Sequence, residues 1–200
     1  MQEGGGSVSE DVDEAERIGS ASISGGTTAL ICVAHGSQLL LAWCGDSRGV
    51  LATAGQPAQR LTVDHTPSLP SEAERITRAG GFITRGRVHG ILAVSRALGD
   101  LELQPYISPE PQVATVQLPT PSNTINNSSS GNNAGNTTPP SLLILASDGV
   151  WGLLDDHEAS SIALQHADDA QAASDALMAE VARRGGRDNA SVIVAAWGGA

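Results

Sequence analysis

Five apolar residues, Leu142 to Ala146, run without a polar break into Ser147-Asp148-Gly149-Val150-Trp151. Such a run predicts a strand buried on both faces that reaches the surface at a Ser-Asp-Gly turn. A second apolar run, Ala190 to Ala195, follows Arg187-Asp188-Asn189 and predicts another strand with an aspartate at its start. Between the two runs the period changes from two to nearly four. Asp155-Asp156-His157-Glu158 places acids where a helix begins, at its positive end. Ala173, Leu177 and Val181, spaced by four, mark one face of a helix over about 170–184. Arg183 and Arg184 sit at that helix's negative end, and Gly185-Gly186 terminate it. Strand, helix pair, strand is the order expected when two helices cover a sheet face.

Upstream, the short apolar runs 30–34, 38–44 and 49–53 predict three strands joined as an antiparallel meander, the first pair turning near Gly36-Ser37. Gly45-Asp46-Ser47-Arg48 is the polar turn between the second and third. Ser71 and Glu74 have capping-box spacing, so a helix of about two to three turns is expected within 71–81, with Gly80 just past its end. Residues 85–100 read as two short strands and a polar turn, with arginines suited to phosphate or to neighbouring acids. His65 reads as a hydrogen-bonded structural residue rather than a ligand, since imidazole can satisfy buried partners at either nitrogen. Residues 1–23 read as an acidic, disordered tail. The Asn/Ser/Thr/Gly/Pro tract at 119–140 reads as a disordered insertion, because it has too little apolar surface to offset chain entropy. The remainder, 24–200, is one domain of ordinary size.

Composition narrows the chemistry. A net charge of -11 with no basic cluster argues against nucleic acid as a partner, because that affinity rests on Lys and Arg neutralising phosphates. No stretch approaches the roughly 18–20 continuous apolar residues of a membrane span, and the start lacks a basic-then-apolar leader, so an intracellular protein is expected. Cys32 and Cys44 fall out of register across the expected hairpin, too far apart for a disulfide, and are expected as free thiols. Asp148 and Asp188, each at the end of a predicted strand, could share one hard cation, with Gly149 leaving room beside the first carboxylate.

Taken in order, Ser24 to Ala29, Gly45-Asp46-Ser47-Arg48, Asp64-His65, Glu74-Arg75-Ile76 with Ala79-Gly80-Gly81, Leu92 to Asp100, Ser147 to Trp151 and Arg187-Asp188-Asn189 resemble the metal-dependent protein phosphatases of type 2C. The resemblance implies an α+β fold, a four-layer αββα sandwich of two antiparallel sheets flanked by helices. It implies a serine/threonine phosphatase that uses Mg²⁺ or Mn²⁺ to remove phosphate from phosphoserine and phosphothreonine proteins. By position, Asp148 and Asp188 match ligands of one of the two main ions, and Asp46 matches a ligand of a weaker third ion. Arg96 and Asp100 match positions with supporting roles. The family's phosphate-gripping arginine, glutamate ligand and Asp-Gly-His-Gly segment would stand upstream of Ser24 and have no counterpart in the 23 residues there. The expectation is therefore a catalytic domain incomplete at its amino-terminal side, weak in metal binding and low in activity alone. The alternatives are a catalytically inactive module that binds phosphoproteins or regulates a partner, and a nonphosphatase metal-binding domain.

Overall fold

The computed structural model describes residues 25–118 and 138–198; the expected tail and all but the last three residues of the expected insertion lie outside them. Strands β1 (Gly26–Thr27), β2 (Ala29–His35), β3 (Gln38–Cys44), β4 (Arg48–Thr53) and β5 (Gln59–Arg60) come first, followed by helix α1 (Pro70–Arg78). The short strands β6 (Ile83–Thr84), β7 (Arg87–Val88) and β8 (Leu98–Gly99) lead to β9 (Gln112–Gln117) and β10 (Ser141–Ala146). Helices α2 (Asp148–Trp151), α3 (Asp156–Leu164) and α4 (Ala170–Arg183) precede the last strand, β11 (Val192–Trp197).

Two antiparallel sheets dominate, with strand orders β2-β3-β9 and β11-β10-β4-β5. The expected strand at Leu142–Ala146 is β10, a central strand whose two faces serve two cores. Leu142, Ile144 and Ala146 pack with Val150, Leu154, Leu177 and Val181 under α2, α3 and α4. Leu143 points the other way and joins Leu39, Leu41, Trp43 and Leu51 between the sheets. Each such fully buried aliphatic side chain contributes about 1.5–3 kcal/mol. The stripe Ala173, Leu177, Val181 is buried as its spacing predicts, and α3 opens with a complete capping box between Asp155 and Glu158. The result is an α+β sandwich. On the outer face of β2-β3-β9, Ile31, Val33, Leu40 and Val113 are exposed.

Two sequence expectations are corrected. β2 and β3 form the expected hairpin, with Cys32 opposite Leu41 and both cysteines free, but β4 does not continue a meander. It crosses into the other sheet and pairs with β10 along its whole length. A strand as apolar as β10 needs a ladder partner on each edge, and β4 with β11 supply them. The three residues between β3 and β4 are thus a bridge between sheets. The second correction concerns α1, which begins at Pro70 after Leu69 with no side-chain cap. Proline's fixed φ and missing N–H suit a first helical position. Ser71 therefore lies inside the helix, and Glu74 pairs with Arg78 instead of capping.

Candidate metal site

The bridge between the sheets carries Asp46. Gly45 has φ +112, and a β-carbon there would stand 2.3 Å from Thr28 Cγ2, so only glycine fits the bend. Ser47 exchanges a hydrogen bond with Thr28 across 3.0 Å. Arg48 then extends over the ring of Trp151, 5.1 Å from its centroid, where cation and π face attract. Its Nε donates to Asp64 Oδ1 at 3.1 Å, its Nη2 to Asp64 Oδ2, and its Nη1 to Asp156 Oδ1 at 2.8 Å. This arginine ties the Asp46 bridge to two other connections.

Asp148 stands where β10 ends and α2 begins; Asp188 stands in the connection from α4 to β11. Their two segments touch backbone to backbone. A β-carbon on Gly149 would lie 2.3 Å from the Asn189 carbonyl oxygen, which explains the glycine directly after Asp148. The Ser147 N–H donates to the Ser191 carbonyl at 3.1 Å, and the Ser191 N–H donates to Ser147 Oγ at 3.0 Å. The register of β10 against β11 therefore delivers both aspartates to one end of the sandwich.

Asp46, Asp148 and Asp188 all line one cavity of about 540 Å³, together with Arg48, Asp64, Thr66, Trp151 and Arg187. Burial pushes the Asp46 carboxyl up from its usual value, and the nearby charge of Asp148 pushes it further. Oxygen donors at which negative charge accumulates suit a hard divalent cation. Among the described residues, however, no three His, Cys, Asp or Glu side chains converge closely enough to hold an ion by themselves. The donor set fits an ion that keeps much of its water.

Sequence reasoning singled out Asp46, Asp148 and Asp188 and missed the wall. Asp64, Arg48 and Asp156 form a braced set whose partners come from 16 and 108 residues away, and no local pattern announces it. Arg96 and Asp100 stand outside this cavity's lining. Arg96 pairs with buried Glu72, and the Asp100 N–H holds the Gly25 carbonyl at 2.8 Å beside the β1–β8 pair.

Comparisons with known proteins point to one family. The family model described as Protein phosphatase 2C matches residues 7–124 and 136–190. Protein phosphatase 2C 56 of Arabidopsis thaliana is 37% identical over 180 residues, covering 86% of this chain and 37% of that protein. Protein phosphatase 2C 50 of Oryza sativa subsp. japonica is 33% identical over 216 residues, covering 96% and 49%. This chain thus spans between about a third and a half of the length of these curated relatives. Among solved structures, a C. elegans sex determining protein superposes with a TM-score of 0.70 at 28% identity, covering 92% of this chain and 42% of that one. The serine-threonine phosphatase 2C of Toxoplasma gondii superposes with a TM-score of 0.67 at 23% identity, covering 92% and 61%, a likeness of fold. With the family's model matched over most of its length, this chain belongs to the protein phosphatase 2C family.

Proposed function

We propose that this chain supplies metal-binding aspartates and scaffold of a protein serine/threonine phosphatase acting on phosphoserine and phosphothreonine proteins. Its cofactor is Mg²⁺ or Mn²⁺, held by Asp148 and Asp188, with Asp46 serving a further, weaker ion. The observation that carries this is the meeting of three aspartates from three separate connections on one cavity. A divalent ion held there would acidify a bound water and offset charge on the phosphoryl oxygens.

The chain's own groups have other tasks. Arg48 is fully engaged by Asp64 and Asp156 and so shapes the cavity wall. Arg187 lines the same cavity and makes no hydrogen bond or ion pair among the described residues, which leaves its planar fork for a phosphoryl oxygen. Because no three protein ligands converge among the described residues, we expect weak ion binding and little turnover from these 200 residues alone. The same observation favours the second reading, an inactive phosphatase-like module that binds phosphoproteins or regulates a partner.

Hydrolysis of p-nitrophenyl phosphate with Mn²⁺, alongside Mn²⁺ titration calorimetry, separates these. Weak Mn²⁺ binding that Asp148→Ala abolishes, with slow turnover, is the expected result. Vigorous turnover abolished by Asp148→Ala would overturn the expectation of low activity. Absence of Mn²⁺ binding would favour the inactive module.

A further inference from the structure

Asp46 lies outside any helix or strand, in a bridge that secondary structure does not hold. What holds its preceding residue is a single residue, His65, through its backbone and its side chain. The His65 backbone N–H donates to the Gly45 carbonyl at 2.9 Å, and the Gly45 N–H donates back to His65 Nδ1 at 3.1 Å. Both polar backbone groups of Gly45 are therefore engaged by one histidine.

The ring is in turn fixed on every side. A backbone N–H can only donate, so Nδ1 must be the ring's unprotonated nitrogen. Nε2 then carries the hydrogen and donates to Gln112 Oε1 at 2.9 Å. The ring is fully buried and stacks on Trp43 with planes 11° apart and centroids 6.1 Å apart. Trp43 is itself anchored, its Nε1 donating to the Val63 carbonyl at 2.9 Å. Gln112 pairs with Trp43 across the β3–β9 ladder, so ring, tryptophan and glutamine form one block at the end of the sheet. The block borders the cavity through Gly45, directly before Asp46, and through Asp64 and Thr66, which flank His65 and line the cavity.

We propose that His65 is a positioning residue for Asp46: its Nδ1 lone pair holds the Gly45 N–H and so aims the Asp46 carboxylate into the metal cavity. This rests on the reading that Asp46 serves a divalent ion. A buried N–H left without an acceptor costs about 1–3 kcal/mol, a bias toward rearranging the three-residue bridge, whose other ties are the Ser47–Thr28 hydrogen bond and the pairs made by Arg48.

The two amide substitutions separate this role from mere packing. His65→Asn places an acceptor oxygen near the position of Nδ1 and gives up the bond to Gln112. His65→Gln reaches toward Gln112 and leaves the Gly45 N–H without its acceptor. Mn²⁺ binding is measured by titration calorimetry on the full chain, with folding checked by circular dichroism. For the weaker, Asp46-dependent Mn²⁺ step, His65→Asn should stay within about 3-fold of the unsubstituted chain while His65→Gln weakens it about 10-fold or more, matching Asp46→Ala, since 1.4 kcal/mol is a factor of ten. Equal losses in the two variants, or no loss in either, would overturn the assignment.

Should both variants fail to fold, the unsubstituted chain still tests it by ¹⁵N NMR. His65 should show a bare Nδ1 and a protonated Nε2, and titration with Mg²⁺ should shift the Gly45 amide and the His65 ring together. A protonated Nδ1, or resonances indifferent to Mg²⁺ while other cavity residues respond, would refute it. If the unsubstituted chain takes up neither ion, the metal reading itself fails and takes this role with it. If it binds the ions and only the variant split is missing, His65 alone loses its role.

Discussion

The chain holds two groups of carboxylates that the fold treats in opposite ways. Glu72 on α1 is almost wholly buried, yet Arg96 and Arg75 grip it from both sides, at 2.6 and 2.9 Å. Burial alone would raise its carboxyl, but the hydrogen bonds from the two arginines outweigh that and hold it at about 2. Asp46, Asp148 and Asp188 are more accessible, and among the described residues none of them forms an ion pair. Arg48, the arginine nearest Asp46 in sequence, is occupied by Asp64 and Asp156. Burial and the charge of Asp148 push Asp46 upward, the reverse of Glu72. A carboxylate that the protein neutralises itself is part of the architecture; a set left with uncompensated charge would be completed by the cation proposed above.

The largest effect should come from Glu72. Removing one partner of a buried ion pair strands the other charges, so Glu72→Ala should lower stability by about 3–5 kcal/mol in urea denaturation. Asp188→Ala, at an exposed position in the other group, should change stability far less while weakening Mn²⁺ binding. If the two losses of stability were equal, the contrast would fail.

Acid provides the next test. Folding lowers the Glu72 pKa from 4.5 to about 2, so its stabilisation is complete above about pH 4.5 and is lost as the pH falls toward 2. The shift corresponds to about 3 kcal/mol at 1.36 kcal/mol per unit. Denaturation midpoints between pH 5 and 2 should show this loss, and Glu72→Gln should flatten that slope. A slope unchanged in the variant would place the acid sensitivity elsewhere.

A smaller effect of opposite sign is expected at the cavity. Without divalent ions, Asp148→Asn removes a like charge beside Asp46 and should raise the Tm, by an amount equivalent to about 1 kcal/mol or less. Excess Mn²⁺ should then stabilise the unsubstituted chain and not the variant. The smallest effect belongs to Glu74 and Arg78, about 70% exposed on each side, where Arg78→Ala should cost no more than about 0.5 kcal/mol.

What could be read from the sequence follows this division. Elements whose partners are their own neighbours were legible: the doubly buried run of β10, with Asp148 just beyond it, and the four-residue stripe of α4. The crossing from β3 to β4 was not, because three polar residues between two apolar runs look the same whether they turn a hairpin or join two sheets. Only the demand of β10 for a partner on each edge distinguishes them. The false capping box at Ser71 failed because Pro70 opens the helix and puts the N-cap at Leu69, two residues earlier. The burial of Glu72 was hidden for a related reason, since Arg96 lies 24 residues further on. Asp148 and Asp188 stand 40 residues apart in sequence and meet through strand register and the backbone contact at Gly149, neither of which has a local signature.

The central claim is that three aspartates brought together by two sheets form a cation site. Titration calorimetry with Mn²⁺ on the unsubstituted chain and on Asp148→Asn tests it most directly. The account predicts weak, saturable uptake that disappears in the variant while the fold is retained. Uptake of equal affinity in both proteins, or no uptake by the unsubstituted chain, would contradict it.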